Sequence, residues 1–97
     1  MATFIGLFNW TEQGIKGYKD SPSRAQSARQ ELEGLGITIK EIYWTLGPYD
    51  IVSVIEAPDD ETVTAALLKL GALGNVRTMT MRAFSREEFE GVVKKAG

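Results

Sequence analysis

The sequence predicts an α+β fold: a four-stranded antiparallel sheet with helices on one face and a further helix at the C-terminus. Three observations predict it. Four short stretches are rich in β-branched and aromatic residues, with apolar side chains alternating or filling both faces. Between and after them, apolar residues recur at steps of three and four. Each helical segment opens on a residue able to cap it.

The first stretch is "TFIGLFNW", Thr3 to Trp10. Phe4, Phe8 and Trp10 share one parity, Ile5 and Leu7 the other, so the strand is expected to be buried on both sides. Thr11 is placed to cap a short helical turn, which Gly14 and Gly17 weaken. In "DSPSRAQSARQELEGLG", Ser21 is the expected cap and Pro22 suits the first helical position. Ala25, Ala28, Leu32 and Leu35 form its apolar face, and Gly34 and Gly36 its stop. The early alanines suggest a close approach of this helix to the sheet.

"ITIKEIYW", Ile37 to Trp44, alternates until Glu41, where the change of phase suggests a bulge. After the turn "TLGP", the stretch from Tyr49 to Ala57 fills both faces with Ile51, Val52, Val54 and Ile55. Asp59 then caps a helix with the stripe Val63, Ala66, Leu67 and Leu70. From Asn75 to Phe84 a strand puts Arg77, Met79, Met81 and Ala83 on one face, expected to be the core face, and Val76, Thr78, Thr80 and Arg82 on the other. Ser85 and Glu88 form a capping box for a last helix with the stripe Phe89, Val92 and Val93.

This order is the split βαββαβ pattern of the ferredoxin-like fold, followed by a C-terminal helix. In that fold the first and third strands are central. They are also the two stretches apolar on both faces. Helices cover one sheet face. The other would leave Phe, Trp, Ile and Val wet, and the simplest cover is a second copy of the same sheet. A homodimer or higher homo-oligomer is therefore expected.

Composition narrows the function. The 97 residues form one domain, 1–97, with a modest core. The net charge of −2 and scattered basic residues speak against a nucleic-acid surface. Without cysteine or histidine there is no thiol chemistry, and the commonest metal ligand and general base are missing. No phosphate-binding glycine loop follows a strand, and the acids Asp59, Asp60 and Glu61 read as helix-start residues. No cofactor and no metal are expected. With neither a leader pattern nor a membrane-length apolar run, the expected location is the cytoplasm.

The residues able to carry a site are few. Asp50, opening the third strand after Gly47 and Pro48, is the candidate acid or base, with loop capping as its structural alternative. Trp44, Tyr49, Trp10, Arg77 and Asn75 are the ligand-binding candidates. Trp44, Tyr49 and Asp50 are read as one cluster. Trp10 and Arg77, with strands one and two read as antiparallel, form a second at the opposite sheet end, where Glu56 is the expected partner of Arg77.

The chain also resembles the GYD-domain family, small bacterial and archaeal proteins of the dimeric α/β-barrel group. The resemblance rests on "TEQGIK", "DSPSRA", "YWTLGPYDIV", "EAPDDE" and "LGNVRT", which together span most of the chain. The signature glycine, tyrosine and aspartate fall on Gly47, Tyr49 and Asp50, with Pro48 between the first two. The resemblance implies the fold and a dimeric α/β barrel, and almost nothing about chemistry. Two functions are therefore carried forward. One is a homo-oligomeric module that binds a small ligand or a partner protein. The alternative is a cofactor-independent enzyme, monooxygenase- or isomerase-like, for a small hydrophobic or aromatic substrate, an idea resting on fold analogy.

Overall fold

A computed structural model describes residues 1–97. The strands are β1 (Ala2–Trp10), β2 (Thr38–Trp44), β3 (Ile51–Ala57) and β4 (Val76–Ala83). The helices are α1 (Glu12–Lys16), α2 (Ser21–Glu33), α3 (Asp60–Ala72) and α4 (Arg86–Ala96), with a 3₁₀ turn at Tyr18–Asp20 before α2. The sheet order is β2-β3-β1-β4, and each neighbouring pair is antiparallel. This is the ferredoxin-like arrangement, with β1 and β3 in the middle as their two-sided hydrophobicity predicts. Within one chain the sheet is open and does not close into a barrel.

Local signals explain most element ends. The Thr11 side chain accepts the Gly14 amide at the start of α1. Asp59 accepts from the Thr62 amide at 2.7 Å and starts α3. At α4, Ser85 and Glu88 form the reciprocal capping box. The register between β2 and β3 shifts between Ile39 and Glu41, where the sequence pattern changes phase. Two details differ from expectation. The N-cap position of α2 is Asp20, and the Ser21 hydroxyl instead accepts the Trp44 indole N–H at 2.9 Å. Leu35 lies beyond the end of α2 and is exposed, so the α2 stripe ends at Leu32.

The core lies between the sheet and the helices. Phe4, Ile37, Ile55 and Ala57 pack with Val63 and Ala66 of α3, and Leu32 of α2 joins them half-buried. Burying side chains of this size contributes roughly 1.5–3 kcal/mol each. Only 13 of 97 residues are buried, so much of the apolar content must be covered in another way or stay wet.

One contiguous group of incompletely buried apolar residues lies on the helix-free sheet face. Parity and register put Ile5 and Leu7 of β1, Val52 and Val54 of β3, and Met79 and Met81 of β4 there together. The methionine face of β4 is therefore not turned to the helices as the pattern suggested: Met79 is 56% and Met81 46% exposed. Facing the helices are Val76, Thr78, Thr80 and Arg82, because β1 pairs Phe4 with Arg82 and Phe8 with Thr78.

α4 is a second uncovered element. None of its residues is buried, and Phe89 and Val93 are each 55% exposed. Its first turn is tied to the sheet by the Arg82–Glu88 contact at 3.8 Å, while the Arg82 guanidinium lies 4.4 Å from the centre of the Phe84 ring.

Candidate functional site

Strand direction decides which candidate residues meet. β1 and β2 each run antiparallel to β3, so they run parallel to one another. The C-terminal ends of β1 and β2 therefore share a sheet end with the starts of β3 and β4. Trp10, Trp44, Tyr49, Asp50, Asn75 and Arg77 all lie at that end, in one group. The expected division into two clusters at opposite ends is wrong, because it treated β1 and β2 as antiparallel.

Asp50 is the hinge of this group. Its Oδ2 accepts the Trp10 backbone N–H at 2.9 Å, and its own N–H donates to the Phe8 carbonyl at 2.9 Å. Its carbonyl accepts from the Thr45 amide, and the Thr45 hydroxyl donates to the Tyr49 carbonyl at 2.6 Å. The turn between β2 and β3 is thus pinned to the end of β1. Gly47, with a φ of +118°, lets the chain reverse where a side chain would be strained.

Asn75 anchors the start of β4. Its carbonyl accepts the Thr11 amide at 3.1 Å, and its Oδ1 accepts from Gln13 Nε2 at 2.9 Å. The Thr11 hydroxyl donates to the Gly74 carbonyl. α1 approaches so closely that a Cβ on Gly14 would sit 1.9 Å from the Asn75 carbonyl oxygen. Gly14, which weakens α1 as a helix, is therefore what lets it dock.

The group divides between the two sheet faces. Arg77 lies exposed on the helix-free face, opposite Asn9 and in line with Met79. It makes no ion pair, and the expected Glu56 partner is instead 3.7 Å from Lys40 at the other sheet end. The Tyr49 hydroxyl points to the same face and meets the Met79 sulfur at 3.5 Å. Tyr43, also on that face, donates its hydroxyl to Glu41 at 2.8 Å. That hydrogen bond first, and the neighbouring negative charge second, hold the phenol above its ordinary pKa.

Trp10 and Asn75 border the opposite face. There a cleft of about 360 Å³ opens between α2, α3 and the sheet. Phe8, Ile51 and Ser53 form part of its floor, Ala25 and Ala28 of α2 one wall, and Leu67 of α3 the other. The alanines of α2 thus leave space instead of closing it. Asp50, Tyr49, Trp44 and Arg77 do not line this cleft. Composition alone gave no sign of Ser53, since a lone serine in an apolar strand marks no site by type or spacing.

Comparison with known proteins gives three findings. The GYD domain family matches residues 4–93. A protein of Thermus thermophilus, named glutamine synthetase and cystathionine beta-lyase binding protein, is 43% identical over 84 residues, 86% of this chain and 88% of that one. The crystal structure of a Thermus thermophilus protein superposes with a TM-score of 0.55 at 25% identity, covering 88% of this chain and 95% of that chain.

Proposed function

Since this chain belongs to the GYD-domain family, we propose that it is a binding module, pairing with a second copy through its helix-free sheet face and holding a partner enzyme through α4. The observation that carries this reading is the relative sharing 43% of its residues over 84 positions, which is named for binding glutamine synthetase and cystathionine beta-lyase.

Two surfaces of the chain support it. The helix-free face has an apolar centre at Ile5, Leu7, Val52, Val54, Met79 and Met81, with Arg77, Glu56 and Lys40 toward its edges. An apolar centre with a charged rim suits a two-fold contact, in which each patch meets its own copy. A pair of open sheets packed in this way forms the dimeric barrel of the group. α4 presents Phe89, Val92 and Val93 along one side, and none is buried against its own chain. An amphipathic helix of this kind fits an apolar groove on another protein.

The enzyme alternative with Asp50 as acid or base has less support. Its carboxylate is engaged by the Trp10 amide, and it does not line the cleft. That geometry supports a structural role for Asp50.

The test uses glutamine synthetase and cystathionine beta-lyase from the organism that encodes this chain, passed over the immobilised protein. Saturable binding of either enzyme, weakened at least tenfold by Phe89→Glu, supports the reading. Binding of neither, or binding indifferent to Phe89→Glu and Val93→Glu, overturns it.

A further inference from the structure

The cleft between α2, α3 and the sheet is formed by small side chains. Gly6 and Ser53 face each other across the β1–β3 ladder, between the larger Phe4–Ile55 and Phe8–Ile51 pairs. The Phe8 ring lies over Gly6, where an added Cβ would come within 2.6 Å of it. Opposite, α2 contributes Ala25 and Ala28. The result is a void of about 360 Å³ over the middle of the sheet, within the range that holds small organic molecules.

Its polar content is specific. Ser53 is 2% exposed, lines the cleft, and its hydroxyl has no hydrogen-bond partner in the chain. The hydroxyl is free to bond whatever occupies the cleft, water or a ligand oxygen. The indole N–H of Trp10, at the cleft border, is fully buried and has no partner. A buried orphaned donor beside an apolar void is uncommon in a folded chain. Charge, by contrast, stays at the edge. Arg24 borders the cleft, but its guanidinium donates to the Gly17 and Gly14 carbonyls at 2.9 and 3.3 Å. Glu31 is exposed at the rim. Nothing on the floor would neutralise a buried ion.

We propose that this cleft binds a small, neutral, mostly hydrocarbon molecule carrying one hydrogen-bonding oxygen, held by the Ser53 hydroxyl with the molecule's apolar body against Phe8, Ile51, Ala28 and Leu67. This goes beyond the module reading and uses the opposite sheet face.

The probe is 1-naphthol, titrated into the full-length ¹⁵N-labelled protein. It is expected to shift the Ser53 amide and the Trp10 indole N–H saturably, and to bind at least tenfold more tightly than the anion 1-naphthoate. Ser53→Ala should weaken 1-naphthol about fivefold, the worth of one neutral hydrogen bond. Ala28→Phe should fill the cleft and weaken it at least tenfold. Circular dichroism checks that both variants fold, and the small Ser53→Ala change keeps the test usable if Ala28→Phe does not. Val54→Asp, on the other face, should leave 1-naphthol binding intact, so pairing and ligand binding fail separately. The proposal is overturned by any of four results. These are no saturable shift at millimolar 1-naphthol, shifts centred on Ile5, Val54 and Met79 instead, 1-naphthoate binding as tightly as 1-naphthol, or full binding by both Ser53→Ala and Ala28→Phe.

Discussion

Asp50 and Trp10 are forty positions apart in sequence, and the carboxylate of one holds the backbone amide of the other at 2.9 Å. With the reverse bond from the Asp50 amide to the Phe8 carbonyl, this closes the β2–β3 turn onto the end of the central strand. The expected result for Asp50→Ala is a loss of about 1.5–3 kcal/mol, the range for a hydrogen bond to a charged acceptor. Asp50→Asn keeps an acceptor oxygen and should lose less than half of that. Urea denaturation of the three proteins measures both. An alanine variant as stable as the parent would show that the bond contributes nothing to the fold.

Gly14 and Asn75 make the second contact that fixes this sheet end. Gly14→Ala would drive a methyl group into the Asn75 carbonyl, and backbone cannot turn aside as a side chain can. A destabilisation of about 1–3 kcal/mol is expected, the usual cost of overpacking. Thermal unfolding followed by circular dichroism reads it. Gly71→Ala is the control, since nothing lies within 4 Å of its added Cβ, and it should match or exceed the parent.

Pairing through the helix-free face predicts twice the chain mass in sedimentation at micromolar concentration. Val54→Asp and Leu7→Asp put a charge at the centre of that face and should give monomers with unchanged far-ultraviolet spectra. A parent that sediments as a monomer removes the pairing half of the proposed function.

Two helix caps contribute to the loss of stability in acid. Hydrogen bonds from Thr62, from its side chain first and its amide second, hold Asp59 below the usual carboxylate pKa. Glu88 is lowered as well, by the Ser85 backbone first and the Ser85 hydroxyl second. A carboxylate with a lowered folded pKa stabilises above its unfolded pKa, about 4, and loses that contribution as pH falls through the folded value. Both caps therefore act in full at neutral pH and fade below about pH 4. Asp59→Asn and Glu88→Gln should flatten the acid side of a stability–pH curve and leave its slope between pH 6 and 8 unchanged. An acid slope identical to the parent's would count against these two groups as its source.

The sequence carried the elements clearly because each has a local cause. Alternating residues, the caps at Thr11, Asp59 and Ser85, and the phase change at Glu41 all act within a few positions. The face of β4 was less legible. Met79 and Met81 look like core, while Thr78 and Thr80 look like surface, yet register with Phe4 and Phe8 turns the methionines to the helix-free face and the threonines to the helix side. Hydropathy cannot tell which of two apolar faces the helices will cover. The grouping of Trp10 with Asp50 was open to deduction: a strand–helix–strand crossover makes β1 and β2 parallel, which brings both residues to one end. The cleft was not deducible. It depends on the spacing of three elements, and Ser53, Ala25 and Ala28 carry no signal individually.

The position of β1 sets the order of assembly. The sheet's first strand in chain order lies in its middle, with Thr3 beside Glu56 on one side and beside Ala83 on the other. A nascent chain on the ribosome cannot finish its central ladder until β4, the last strand of the sheet, has emerged. Until then one edge of β1 stays open to any passing strand. Truncation before β4 would therefore leave a sticky half-sheet in place of a smaller folded protein.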